Sequence, residues 1–320
     1  MTRGRIFEKD YTAHFSGHET FPMRYGWLKK AFDRVSAFPS DSSNRDTCWG
    51  DETIAHYGVG KNMVTSMRYW AKAAGVIGEV ENGRIAEPTR LGRMIFSDDG
   101  LDPFMENAAT LWLCHWALAS DSRRTTWYWS FGHFSGQAFD VDELTRRLLM
   151  LAEEQEWPRA SAATVKNDVK CFVRTYAAKS FKDTCDDDLL ESPLTELGLI
   201  RSAGTSGNYR FSRGPKSSLG SGVFAYALID FWDCYSKGST LSFEAIAHEP
   251  GGPGRSFLLE ENDVIDRLVD IDLATNGALS WSETAGLKQV IRTRDIDEEM
   301  RHSWIEGDFA EPTLRDVTYA

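Results

Sequence analysis

A chain of 320 residues, 42% hydrophobic and 26% charged, has the length of two or three packed modules and the make-up of an ordinary soluble protein. Its net charge of −12 excludes a histone-type coat for nucleic acid but leaves room for a local basic face. Residues 1–95 hold 14 Lys and Arg against 11 Asp and Glu, so the basic excess sits at this end and the remainder carries about −15.

The first informative stretch runs from Phe15 to Lys30. His18, Glu19, Thr20 and Arg24 fall within seven residues, interleaved with Phe15, Phe21, Tyr25, Trp27 and Leu28. Gly17 and Pro22 break regular structure around the polar group, and helix periodicity begins near Tyr25 and carries Lys29 and Lys30. Polar side chains on a Gly/Pro-bounded turn against an aromatic wall suit a ligand or catalytic group. Glu19 can equally cap the helix, and His18 can be a half-buried hydrogen-bonder.

Residues 36–50 read as a loop and 51–58 as a short helix. Gly58-Val-Gly-Lys61 lacks the spacing of a phosphate loop, and Asn62 stands where Ser or Thr is needed, so no nucleotide cofactor is expected. The better reading is helix, turn, helix. Val64, Met67, Tyr69, Trp70 and Ala74 give the second helix an apolar stripe. Asn62 caps it, Lys61, Thr65, Ser66, Arg68 and Lys72 face outward, and Gly75 stops it. A hairpin follows through Val76–Val80, a turn at Glu81-Asn-Gly83, and Arg84–Ala86. That order predicts a winged helix, which places Lys29, Lys30, Lys61, Asn62, Arg68 and Lys72 as DNA contacts; many winged helices instead bind proteins.

Asp102 reads as the cap and Pro103 as the first residue of a central helix through Trp116. Asp102 and Glu106 then share a face and can hold a divalent metal, although capping and the helix dipole explain both equally well. His115 within this apolar helix reads as core. Residues 120–138 mix Arg with Trp and Phe, which suits either base stacking or a packed connector. A second unit has helices at 140–155 and from Ser161, an acidic run at Asp186–Glu191, and a strand pair around Gly204. A third has a helix at 223–235, another from Glu261 to Leu273, and strands at 279–281 and 287–292. Residues 293–320 read as a loosely docked acidic tail. The expected class is mainly α with small β-hairpins, as tandem winged-helix-like modules over 1–120, 121–220 and 221–320.

Cys48, Cys114, Cys171, Cys185 and Cys234 are odd in number and show no zinc spacing, which points to reduced thiols in a cytoplasm. No apolar run reaches the ~20 residues of a membrane span. The N-terminus lacks a signal-peptide core.

Phe15-Ser-Gly-His-Glu-Thr-Phe-Pro-Met-Arg24, Trp27-Leu-Lys-Lys30, Gly58-Val-Gly-Lys-Asn-Met63, Arg68-Tyr-Trp70 and Asp102-Pro-Phe-Met-Glu106 through Trp116 resemble the SspB-like proteins of bacterial DNA phosphorothioation systems. Weaker similarity runs through Ser192–Ile200 and Thr284–Leu287. The resemblance implies a DNA-nicking component of a phage-defence modification system. Its expected partners are double-stranded DNA and the ATPase and sulfur-transfer components. The alternative is a non-catalytic adaptor that recruits that machinery to DNA. Site logic places His18 as general acid or base, Glu19 as metal ligand or base and Arg24 as phosphate clamp. A nuclease of this kind needs Mg2+ or Mn2+, with Glu19, Asp102 and Glu106 as ligands.

Overall fold

The computed structural model describes residues 4–38, 48–80, 85–178, 192–204, 207–284 and 286–310. The loop at 39–47, the turn at Glu81–Gly83, the acidic run and the chain beyond 310 lie outside the described residues. The protein is mainly α-helical with small antiparallel sheets.

The N-terminal part is built from α1 (Trp27–Ser36), α2 (Asp51–Tyr57) and α3 (Lys61–Ala73), then β1 (Ile77–Val80) paired antiparallel with β2 (Ile85–Pro88), and α4 (Arg90–Phe96). On α3 the buried face is Val64, Met67, Trp70 and Ala71 at helical spacing. Two expectations fail here. Gly60, not Asn62, is the N-cap, with no side-chain capping bond. Ser66 is fully buried rather than outward, because position 66 lies one turn from both Met63 and Trp70 on the packed side of the helix.

The central helix is α5 (Ala108–Ala119), and it begins later than Asp102 and Pro103 suggest. Asn107 is its cap, accepting from Ala109 N at 2.8 Å. Asp102 works earlier in the chain: its carboxylate gathers Glu106 N, Asn107 N and Thr110 Oγ1 at 2.8, 3.0 and 2.6 Å. Three donors fold the approach into a tight turn, so the helix cannot start until that turn closes. His115 is buried, bonded to Tyr176 OH at 2.9 Å and the Ser256 carbonyl at 2.7 Å. It is a core hydrogen-bonder.

Next comes α6 (Thr125–Gly132), every residue of which is buried. The aromatic run is therefore a packed connector, with Trp127 and Phe131 each against Phe172 at 5.6 Å. Then α7 (Val141–Glu154) and α8 (Ala162–Tyr176) begin at Asp140 and Ser161, whose side chains accept from Glu143 N and Thr164 N. A hairpin of β3 (Ile200–Ser202) and β4 (Tyr209–Phe211) closes this part.

The C-terminal part starts with α9 (Ser221–Tyr235), followed by β5 (Thr240–Ser242), α10 (Phe243–His248) and α11 (Pro253–Ser256). The helix expected from Glu261 to Leu273 is two: α12 (Glu261–Val269) and α13 (Ile271–Ala274), separated at Asp270. Strands β6 (Leu279–Thr284) and β7 (Leu287–Arg292) join β5 in a sheet of order β5-β7-β6. The supposed loose tail holds α14 (Glu298–Phe309), which buries Trp304 and Ile305. Asp308 accepts from Gly222 N and Val223 N at 3.1 and 2.6 Å, capping α9 from outside. A Cβ at Gly222 would lie 1.9 Å from the Trp304 carbonyl oxygen, so glycine permits this approach. The apolar residues of all these parts form one continuous core from Ile6 to Ile305. No helix among the described residues is long and apolar enough to cross a membrane.

Candidate functional site

The Phe15–Arg24 stretch forms a tight turn wedged between α3 and α8. Gly17 has φ +112°, and a Cβ there would meet the Tyr69 ring at 2.7 Å. His18 enters the core, with its ring packed near Tyr69, Trp70 and Trp127. Its Nδ1 accepts from Thr20 N at 3.0 Å, so the ring proton sits on Nε2, which donates to Asp168 Oδ1 at 2.6 Å. Both side chains are only 3% exposed, and Asp168 Oδ2 has no hydrogen-bond partner among the described residues. An orphaned buried carboxylate oxygen is costly. It makes the His18 bond the main polar support of Asp168.

The turn is held from three more sides. Trp70 Nε1 and Cys171 Sγ donate to the Phe21 carbonyl, at 3.0 and 3.3 Å, and Arg174 donates to the Thr20 carbonyl at 3.3 Å. Burial and the nearby Asp168 push the Cys171 thiol well up, so it is an inert packing group rather than a nucleophile. Glu19 and Thr20 occupy left-handed conformations, with φ 47° and 65°, and both side chains are exposed. Such backbone costs about 1–3 kcal/mol per residue and persists where the surroundings impose it. Arg24 is half-buried, its guanidinium 5.6 Å from the Phe21 ring and 5.5 Å from the Trp27 ring, with Nε buried and without a hydrogen-bond partner among the described residues. His18, Glu19 and Arg24 are thus close in sequence but differently placed: His18 points into the core and Glu19 into solvent.

The expected metal ligands do not gather. Both Asp102 oxygens are taken by protein donors, while Glu19 and Glu106 are exposed. Among the described residues no group of three or more His, Cys, Asp or Glu side chains could hold an ion. These residues do not form a preformed cage for a divalent metal.

The expected DNA contacts divide. Lys61 and Asn62 are exposed at the start of α3. Lys30 is exposed and lies 5.7 Å from the centre of the Tyr57 ring. Lys29 donates to Asp33 and Asp98 at 2.6 and 2.8 Å, and these bonds outweigh the effect of burial and hold its pKa above the ordinary value. Arg68 and Lys72 both donate to Glu79 on β1, through Arg68 Nε at 2.9 Å and Lys72 Nζ at 2.7 Å. Burial works to raise the Glu79 carboxyl, and the bonds from Lys72 and Arg68 overcome it and hold it low. These two cations pin α3 to its hairpin.

Asp168 carried a sequence signal that composition alone hides. It falls three residues after Val165 and four before Phe172, on the apolar stripe of α8, where a carboxylate must have a buried partner.

Together these features define a mainly α-helical protein with small β-hairpins, one continuous core and a strained, polar turn near its N-terminus. The chain belongs to the family described as "Protein of unknown function (DUF4007)", matched over residues 15–307, and its fold is SspB-like. It is similar to a solved magnesium ion-bound SspB, with 30% identity and a TM-score of 0.81 over 96% of this chain and 90% of that one. A second SspB crystal structure gives 29% identity and a TM-score of 0.80, over 96% and 91%. No curated protein matches.

Proposed function

We propose that this protein is the DNA-nicking component of a bacterial DNA phosphorothioation system, acting beside ATPase and sulfur-transfer partners in the cytoplasm. The observation that carries the reading is the likeness to SspB across nearly the whole chain at 30% identity, with one of those structures magnesium-bound. The three winged-helix-like modules, 1–120, 121–220 and 221–320, belong to the same proposal.

Locally, the turn supports it. Glu19 is the exposed carboxylate at the strained point of the motif, and Arg24 brings a half-buried guanidinium nearby in the chain. Glu19 would act as base or metal ligand and Arg24 as phosphate clamp. His18 serves as a positioning residue, since its Nε2 is committed to Asp168. A divalent ion would supply charge stabilisation at phosphorus. Among the described residues the carboxylates do not form a cage for it.

The adaptor reading is favoured by one observation: His18, Glu19 and Asp102 do not converge on a common point. Purified protein with supercoiled plasmid and Mg2+ or Mn2+ separates the two. Conversion to open circle, abolished by EDTA, is expected. Retarded but intact plasmid would establish the adaptor instead.

A further inference from the structure

On the β3–β4 hairpin, Arg201 and Arg210 stand directly opposite each other. Their ladder neighbours Ile200 and Phe211 are buried, so the pleat turns both arginines outward, and both are exposed. Like charges directly across a ladder weaken it. Arg213, also exposed, follows the end of β4 by two residues. None of these three arginines has an ion-pair partner among the described residues. In a chain of net charge −12, such a concentration of arginines outside ion pairs is contrary to the overall composition.

Lys216 follows in the segment after β4. Its ammonium donates to the carbonyls of Ser212, Gly214 and Leu258, at 3.0, 2.6 and 3.3 Å. Those donors are spent on shaping the segment, so Lys216 contributes charge rather than a direct contact. Burial pushes its pKa down to about 8; Asp263 opposes this, while Arg201, Arg213 and Arg267 add to it. Lys216 therefore lies within the field of Arg201 and Arg213. At the hairpin tip Gly204 and Gly207 have φ +73° and +87°, with nothing within 4 Å of a Cβ at either. The tip is open.

We propose that this hairpin and the segment 212–216 form a contact surface for the sugar–phosphate backbone of duplex DNA. This rests on the reading that the protein acts on DNA, and it names the surface. Guanidinium forks match phosphate oxygens in pairs. A protein partner would need an apolar anchor at the centre of the surface, and none of the large exposed apolar side chains among the described residues lies on this hairpin.

The test is fluorescence anisotropy with a short random-sequence duplex over a salt series. Wild type is compared with the Arg201→Ala/Arg210→Ala double variant and with the corresponding double lysine variant. The alanine variant is expected to bind every sequence more weakly, with a salt slope lower by about 0.9 for each phosphate no longer neutralised. Its melting temperature should not fall, since a repulsive pair is removed. The lysine variant should recover the slope. Wild-type binding with an unchanged alanine variant overturns this surface and leaves the DNA reading standing. Absence of wild-type binding overturns both. Displacement of the duplex by poly-L-glutamate at equal charge overturns the proposal in favour of an acidic protein partner.

Discussion

His18 Nε2 and Asp168 Oδ1 lie 2.6 Å apart, joining the N-terminal turn to the middle of α8 across 150 residues of chain. Removing the imidazole leaves a buried carboxylate without its donor. His18→Ala should therefore cost about 3 kcal/mol, read as a fall in the urea midpoint at constant slope. Asp168→Asn keeps an acceptor of the same shape and should cost less. An unchanged midpoint in His18→Ala would show that the bond does not support the turn.

Glu19 gives the opposite signature. Its φ of 47° suits glycine better than glutamate. Glu19→Gly should hold or raise the melting temperature while abolishing plasmid nicking. Unimpaired nicking by a fully folded variant would remove Glu19 from the chemistry.

Gly17 tests the geometry of the same turn. A methyl group there meets the Tyr69 ring at 2.7 Å on a backbone at φ +112°. Gly17→Ala should destabilise the protein by about 2 kcal/mol or more through overpacking and strain together. Pairing it with Tyr69→Leu should return part of that loss. If the double variant is no more stable than Gly17→Ala, the ring contact is not the cause.

Acid should weaken the fold through two histidines. Burial lowers His115 to about 4, against the partial support of the Ser256 carbonyl; His133 is lowered to about 4 by burial and then by Arg255. An unfolded histidine titrates near 6.5. The unfolded chain therefore takes up protons first as pH falls. The stability carried by the neutral rings is intact above about 6.5 and is lost on the way down to about 4. For His115 the loss is about 3 kcal/mol across that window. His133→Phe keeps the ring packed near Phe7 and should shrink the acid loss in a melting-temperature profile. An identical profile would assign the loss to other groups.

The helix–helix–hairpin order at 51–88 was legible because apolar periodicity and glycine punctuation agree there. The start of the central helix was not. Pro103 after an Asp is a strong local start signal, but Asp102 is recruited by Thr110, eight residues on, and that bond is tertiary. The tail misled for a related reason. Residues 298–309 show little amphipathic patterning, and they dock through the buried Trp304 and Ile305 and through Asp308 reaching α9, contacts that are tertiary. At the candidate site, sequence placed His18 and Glu19 side by side, while the left-handed turn that sends one inward and the other outward could be seen only in the backbone.

That limit is clearest on α3, where the sequence offers Lys61, Asn62, Arg68 and Lys72 to DNA and the structure ties up the last two. Arg68 and Lys72 are both bonded to Glu79. Glu79→Gln removes the charge that holds them and keeps most of the side-chain volume. If α3 meets DNA, this variant should bind duplex more tightly, with a salt slope steeper by about 0.9 for each further phosphate neutralised. Lys61→Ala should shift the slope the other way by a similar amount, because Lys61 is exposed and α3 opens there. Thermal melting should show Glu79→Gln as the less stable protein, since β1 loses its tie to the helix. Tighter DNA binding from a less stable protein is a combination that general damage does not produce. Unchanged affinity and slope in both variants would remove α3 from the DNA interface and leave Arg68 and Lys72 as purely structural cations.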